Sequence, residues 1–160
     1  MKPLISNIVV AVTGTDASIL AAKYAIVMAK NYHCKLTAVY VVDTATIRQL
    51  TLSKIFLQEE GATYEKNLEN NGNRYLTFVE ELAHAKGIKI EKILRKGAIY
   101  TEILSVTDEK NADLILLGGW EKDTKTRDII GHSHREIMTN AKCSVVLVKE
   151  PDIDQIYKKT

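Results

Sequence analysis

Residues Ile8-Val9-Val10-Ala11-Val12 form an unbroken apolar run of mostly β-branched residues, and similar runs return at Leu36–Val42, Leu114–Leu117 and Ser144–Val148. A strand that is apolar at consecutive positions hides both faces. That is the condition of a strand inside a parallel sheet covered by helices on both sides. Four such runs in one chain of 160 residues leave little room for any fold outside the α/β class.

The segments between the runs have helical spacing. After Thr13-Gly14-Thr15-Asp16, a turn with Thr15 or Asp16 as a candidate N-cap, apolar residues fall at Ala17, Leu20, Ala21, Tyr24, Ala25 and Met28. Strand, helix and strand within about 35 residues make one right-handed βαβ unit with parallel strands. Asp43 to Thr63 is less regular; a short helix carrying Ile47, Leu50, Ile55 and Leu57 is expected, with Gly61 ending it. A clearer helix runs from Tyr64 to Lys86 on Leu68, Tyr75, Phe78, Leu82 and Ala85, with Gly87 as its cap and a kink or break at Asn70-Asn71-Gly72.

Ile88–Leu94 sets Ile88, Ile90 and Ile93 against Lys89, Glu91 and Lys92, and is expected to be a less buried strand. Ala98–Asn111 reads as a helix with Ile99, Ile103 and Val106 on its inner face. Trp120–Ile130 reads as a polar loop and Gly131–Asn140 as a short helix, while residues 150–160 read as a polar tail. The order β-α-β-α-β-α-β-α-β predicts one domain, with its core over about residues 6–149. Its fold is an open doubly wound five-stranded parallel sheet with helices on both faces, Rossmann-like.

Composition narrows the function. The formal charge is +2 with histidines neutral, and no basic face stands out, so neither nucleic acid nor a membrane surface is an expected partner. Two cysteines, Cys34 and Cys143, are too few for a disulfide framework and are expected as buried or half-buried thiols. The first apolar run is too short for a secretory leader or a membrane span, so the expected address is the cytoplasm.

In sheets of this kind ligands sit outside the C-terminal strand ends, where the strand order reverses. That places the candidate site at the turns Thr13–Asp16, Val42–Thr44 and Gly118–Ser133.

The strings at those turns and the order of elements resemble the universal stress protein family, whose fold is of the adenine nucleotide alpha hydrolase-like kind. The likeness is carried by Ile8–Ser18, Ala21–Ala29, Leu36–Val42, Gly97 with Glu102, Ala112–Gly118 and Cys143–Val148, and it leaves Asp43–Thr63 unmatched. It implies an adenine nucleotide, ATP or AMP with magnesium, held at Thr13, Gly14, Thr15, Val41, Gly118, Gly119, Gly131, His132 and Ser133. ATP-binding relatives carry a glycine, two residues, a second glycine, nine residues and then Gly-Ser or Gly-Thr, because bare backbone N–H groups must approach the phosphates.

Here that pattern is damaged. Counting from Gly118 puts Glu121 at the second glycine and Gly131 at the third, followed by His132, with a hydroxyl only at Ser133; counting from Gly119 puts Lys122 at the second place. A carboxylate about 4 Å from a phosphate costs on the order of 1 to 4 kcal/mol. Lys122, Lys125 and Arg127 are offset by Glu121, Asp123 and Asp128. Relatives also carry an aspartate where this chain has Thr13. The resemblance further implies a homodimer through Val145, Val146, Leu147 and Val148, an apolar edge otherwise left bare.

The remaining chemistry is thin. His132 and His134 could serve phosphoryl or nucleotidyl transfer, but the plainer expectation puts both on an exposed first turn. Ser133 either contacts a phosphate or caps the helix, and Trp120 either stacks on a base or pins its loop. Tyr40 is expected in or beside the sheet and Asp43 as a solvated strand end. No nucleophile with a base, no paired carboxylates and no metal spacing emerge. The chain therefore reads as a non-catalytic, dimeric stress-response module with a weakened nucleotide cleft and no metal site; the alternatives are an ATP-binding switch and, third, an adenylate-hydrolysing or transferring enzyme.

Overall fold

The computed structural model describes residues 2–119 and 124–160, and for residues 124–130 the backbone alone. The elements are β1 (Asn7–Val12), α1 (Asp16–Tyr32), β2 (Lys35–Asp43), α2 (Thr44–Leu52), α3 (Gln58–His84), β3 (Ile90–Gly97), α4 (Ile99–Glu109), β4 (Leu114–Gly118), α5 (Thr124–Asn140), β5 (Ser144–Val148) and α6 (Ile153–Lys159). The strands form one five-stranded sheet in the order β3-β2-β1-β4-β5, every pair parallel. The expected doubly wound sheet is thus the observed one.

Alternation along each strand divides the core. Ile8, Val10, Val12, Leu36, Ala38, Leu114 and Leu116 face α1, α3 and α6. Val9, Ala11, Val39, Ile115 and Leu117 face Ile103, Val106 and Ile137 from α4 and α5. Four alanines, Ala21, Ala22, Ala25 and Ala29, bring α1 close to the sheet. Burying each large side chain contributes about 1.5 to 3 kcal/mol, so the two faces carry most of the fold's stability. The chain winds outward from β1 to β3 and returns across the other face to β4, so the order reverses between β1 and β4.

That reversal needs a fastener, because β1 and β4 are far apart in sequence. At the N-terminal ends Asp113 supplies it: its carboxylate accepts the backbone N–H groups of Ser6 at 2.8 Å and Asn7 at 3.0 Å. Those two bonds hold the carboxyl below its usual range, with a smaller push from Lys2.

The two edges differ. On β3, Lys92 pairs with Glu80, Arg95 with Glu109, and Lys96 with Glu65 and Glu69. On β5, Val145, Val146 and Leu147 are half-buried with no such charges.

Several expectations are corrected. Gly61 does not end a helix: α2 stops at Leu52, and Gly61 lies buried in the first turn of α3, where an added Cβ would sit 3.0 Å from the Thr51 hydroxyl. Asn70-Asn71-Gly72 does not break α3, which is continuous over 27 residues; Gly72 is the notch into which Tyr40 fits. The third strand begins at Ile90 and runs on to Gly97. Helix α5 begins at Thr124, so part of the expected loop is helix. Residues 150–160 are not a loose tail. Ile153 and Tyr157, one turn apart, bury themselves against the core, and the Tyr157 hydroxyl donates to the Leu82 carbonyl at 2.6 Å. Among the described residues no helix is long and apolar enough to cross a membrane. Cys34 is buried and Cys143 half-buried, both free, and burial pushes both thiols up.

Candidate functional site

At the C-terminal ends of β1 and β2 lies a cavity of about 280 Å³. Val12 and Thr13 come from the end of β1, Tyr40, Val41 and Asp43 from β2, and Thr46 and Ile47 from α2. Tyr64 and Leu68 of α3 and Ile99 and Ile103 of α4 complete it. A neighbouring pocket of about 410 Å³ shares Asp43, Thr46 and Ile99 with it, and adds Tyr100, His132 and Ser133.

The register explains the convergence. Val12 pairs with Tyr40, so Thr13 leaves the sheet level with Val41. Val41 points to the α4 side and Tyr40 to the α3 side, so the two frame the cavity from opposite faces. Tyr40 lies against the gap at Gly72, where an added Cβ would come within 2.4 Å of its ring, and stacks on Tyr75 with centroids 6.3 Å apart. Burial raises its phenol pKa, and the Tyr75 and Tyr64 rings beside it add to that.

The turn after β1 satisfies its own polar groups. Thr15 caps α1, its hydroxyl accepting the Ser18 N–H at 3.2 Å. The Thr13 and Thr15 hydroxyls bond each other at 2.9 Å, and the Thr13 hydroxyl accepts the Thr15 N–H at 3.3 Å. The buried Ser18 hydroxyl accepts the Thr13 N–H at 3.0 Å and donates to the Thr13 carbonyl at 2.7 Å. Asp43 is no idle strand end: it caps α2, accepting the Thr46 N–H at 3.0 Å and the Thr46 hydroxyl at 2.7 Å.

The turn after β4 is packed differently. A Cβ on Gly118 would meet the Ala17 carbonyl carbon at 2.7 Å and the Ser18 nitrogen at 2.9 Å, and one on Gly119 would meet the Val148 carbonyl oxygen at 2.7 Å. Both positions need glycine because backbones crowd there, whether or not a phosphate binds. His134, expected on an exposed turn, is instead 7% exposed on α5, and its Nε2–H donates to the Gly118 carbonyl at 2.7 Å. Burial lowers its pKa, opposed by that hydrogen bond. His132 is exposed, its ring edge-on to Tyr100 at 6.1 Å, and Ser133 is buried.

Of the nine candidate residues, Thr13 and Val41 line the main cavity, and His132 and Ser133 the adjoining pocket. Gly14 lies under Tyr75 and Thr15 serves the α1 cap. Gly118 and Gly119 line neither space, and Gly131 lies inside α5 rather than opening it. Trp120, Glu121, Lys122 and Asp123 lie outside the described residues, as do the side chains of Lys125, Arg127 and Asp128. Asp43 falls in the expected turn Val42–Thr44 but was read only as a solvated strand end; Thr46, Tyr64, Leu68, Ile99 and Ile103 were not legible as site residues, and Ile99 and Ile103 carry only the ordinary i, i+4 signal of a buried helix face. Among the described residues no cluster of three or more His, Cys, Asp or Glu could hold a metal ion.

The family model described as "Universal stress protein family" matches residues 5–149. Universal stress protein MJ0531 of Methanocaldococcus jannaschii is 32% identical over 150 residues, covering 92% of this chain and 84% of that one. The universal stress protein from Archaeoglobus fulgidus solved in complex with dAMP superposes with a TM-score of 0.63 at 16% identity, over 92% of this chain and 100% of that one. A universal stress protein solved in complex with cAMP gives 0.63 at 22% identity, over 92% and 99%.

Proposed function

The chain belongs to the universal stress protein family, and from that premise we propose that it is a non-catalytic, dimeric stress-response module of the cytoplasm whose cleft holds an adenine nucleotide with low affinity. The observation that carries this reading is the cavity at the ends of β1 and β2. It is apolar at Val12, Val41, Ile99 and Ile103, with polar residues at Thr13, Asp43 and Thr46 and two tyrosines, Tyr40 and Tyr64, beside them. An apolar slot with a few convergent polar groups suits a flat heteroaromatic base with a sugar. Relatives of the same fold solved with dAMP and with cAMP support the choice of ligand class.

Low affinity follows from the sequence after β4, where Glu121 stands in the place of a phosphate-cradling glycine. The hydroxyls near the cavity are engaged in caps, Thr46 on Asp43 and Thr15 on the Ser18 N–H, which supports binding without turnover. The β5 edge, apolar beside the ion-paired β3 edge, supports a second copy docking there.

Thermal melting with millimolar AMP, cAMP and ATP, with and without magnesium, tests the ligand. Stabilisation at one hundred times the dissociation constant is about 2.7 kcal/mol. No shift with any of them defeats the nucleotide reading, and a hundredfold preference for MgATP makes the protein an ATP-dependent switch instead. Chromatography of ATP and AMP after incubation with the protein should show no product; turnover would make it an enzyme. Light scattering at micromolar concentration should give twice the chain mass, and a monomer would remove the β5 interface.

A further inference from the structure

Asp43 stands at the seam of the two hollows, lining both the 280 Å³ cavity and the 410 Å³ pocket that holds His132 and Ser133. Among the described residues lining either space it is the only aspartate or glutamate. Each of its oxygens already accepts one bond from Thr46, and an ionised carboxylate oxygen can accept two. One acceptor site per oxygen therefore remains, on a half-exposed group that donates nothing. The Thr13 hydroxyl is engaged with Thr15, and the Thr46 hydroxyl with Asp43 itself.

We propose that Asp43 is the sugar-recognising residue of the cleft, its two oxygens accepting the vicinal 2′- and 3′-hydroxyls of a ribonucleoside. The inference rests on the nucleotide reading above. Two hydroxyl donors on neighbouring carbons match the two oxygens of one carboxylate. The apolar walls take the base on one side of the seam. A phosphate avoids the carboxylate and lies toward His132 and Ser133, where the pocket is open. The α2 cap holds the carboxylate in place before any ligand arrives, which lowers the entropic cost of binding.

Calorimetric titration of AMP and 2′,3′-dideoxy-AMP into the wild type and Asp43→Asn tests this. Asparagine is as good an N-cap as aspartate, so α2 should persist, and circular dichroism checks that it does. The wild type should bind AMP about tenfold more tightly than the dideoxy compound, and Asp43→Asn should bind the two alike, at the weaker value. Asp43→Ser, which also caps, should behave like Asp43→Asn. Equal weakening of both ligands in the variants, or AMP affinity unchanged by them, overturns the assignment while leaving the nucleotide reading standing. A wild type that binds neither compound overturns both.

Discussion

Gly14 lies just past the end of β1 and Gly118 ends the neighbouring β4, yet a methyl group added to each would meet different obstacles. At Gly14 the nearest atoms belong to the Tyr75 ring, 3.2 Å away at the rim of the cleft. At Gly118 they belong to the α1 backbone, at 2.7 and 2.8 Å. The β1 side meets a side chain that can yield; the β4 side is backbone against backbone, held further by His134 on the Gly118 carbonyl. The difference teaches that a glycine after a strand need not report a phosphate. Gly118 is explained by close packing of β4 on α1.

Gly118→Ala should break that contrast most severely. With nowhere for the methyl to go, it should cost about 3 kcal/mol in urea unfolding. If it costs under about 1 kcal/mol, the β4 half is looser than described. His134→Ala comes next, at about 2 kcal/mol, since it removes a buried side chain and its hydrogen bond to the Gly118 carbonyl.

His134 also gives the β4 half a pH signature. Its pKa is lowered from 6.5 in the fold, so the unfolded chain takes up a proton that the folded chain resists. Stability should therefore be full above about pH 7 and fall as the pH drops toward about 5. His134→Gln should flatten that slope, measured as the urea midpoint at the two ends; an unchanged slope would show that another group sets it.

Smaller effects belong to the β1 side. Thr15→Ala removes the α1 cap and should cost about 1 kcal/mol. Gly14→Ala should cost no more than about 0.5 kcal/mol, because the Tyr75 ring can shift by a few tenths of an ångström. Equal costs at Gly14 and Gly118 would erase the distinction between the two halves.

The strands were legible because an apolar run of β-branched residues has few other uses, and four of the five could be placed almost to the residue. The misreadings have physical reasons. Gly61 and Gly72 look like punctuation, but each is a small residue where something else must fit, Thr51 at one and Tyr40 at the other. Those partners come from other elements, so no local window contains the signal. The α6 pair Ile153 and Tyr157 was too short to stand out from its charged neighbours. His134 looked exposed because the start of α5 was placed at Gly131 rather than Thr124; moving the start back turns that side chain inward. Asp43 is only two residues beyond Val41 on β2, but its cap on Thr46 and the approach of Tyr64, Leu68, Ile99 and Ile103 to it come only with the fold.

The Tyr40 ring lies in the groove that Gly72 leaves in α3, with no room for even one more carbon. A key and its slot of this kind ties two positions 32 apart into one inherited unit. Any descendant that gains a side chain at position 72 must give up the aromatic ring at position 40, and with it one face of the cleft. A change on the sheet-facing side of α3 would thus reshape the cleft through Tyr40, from a position outside the cavity's own lining.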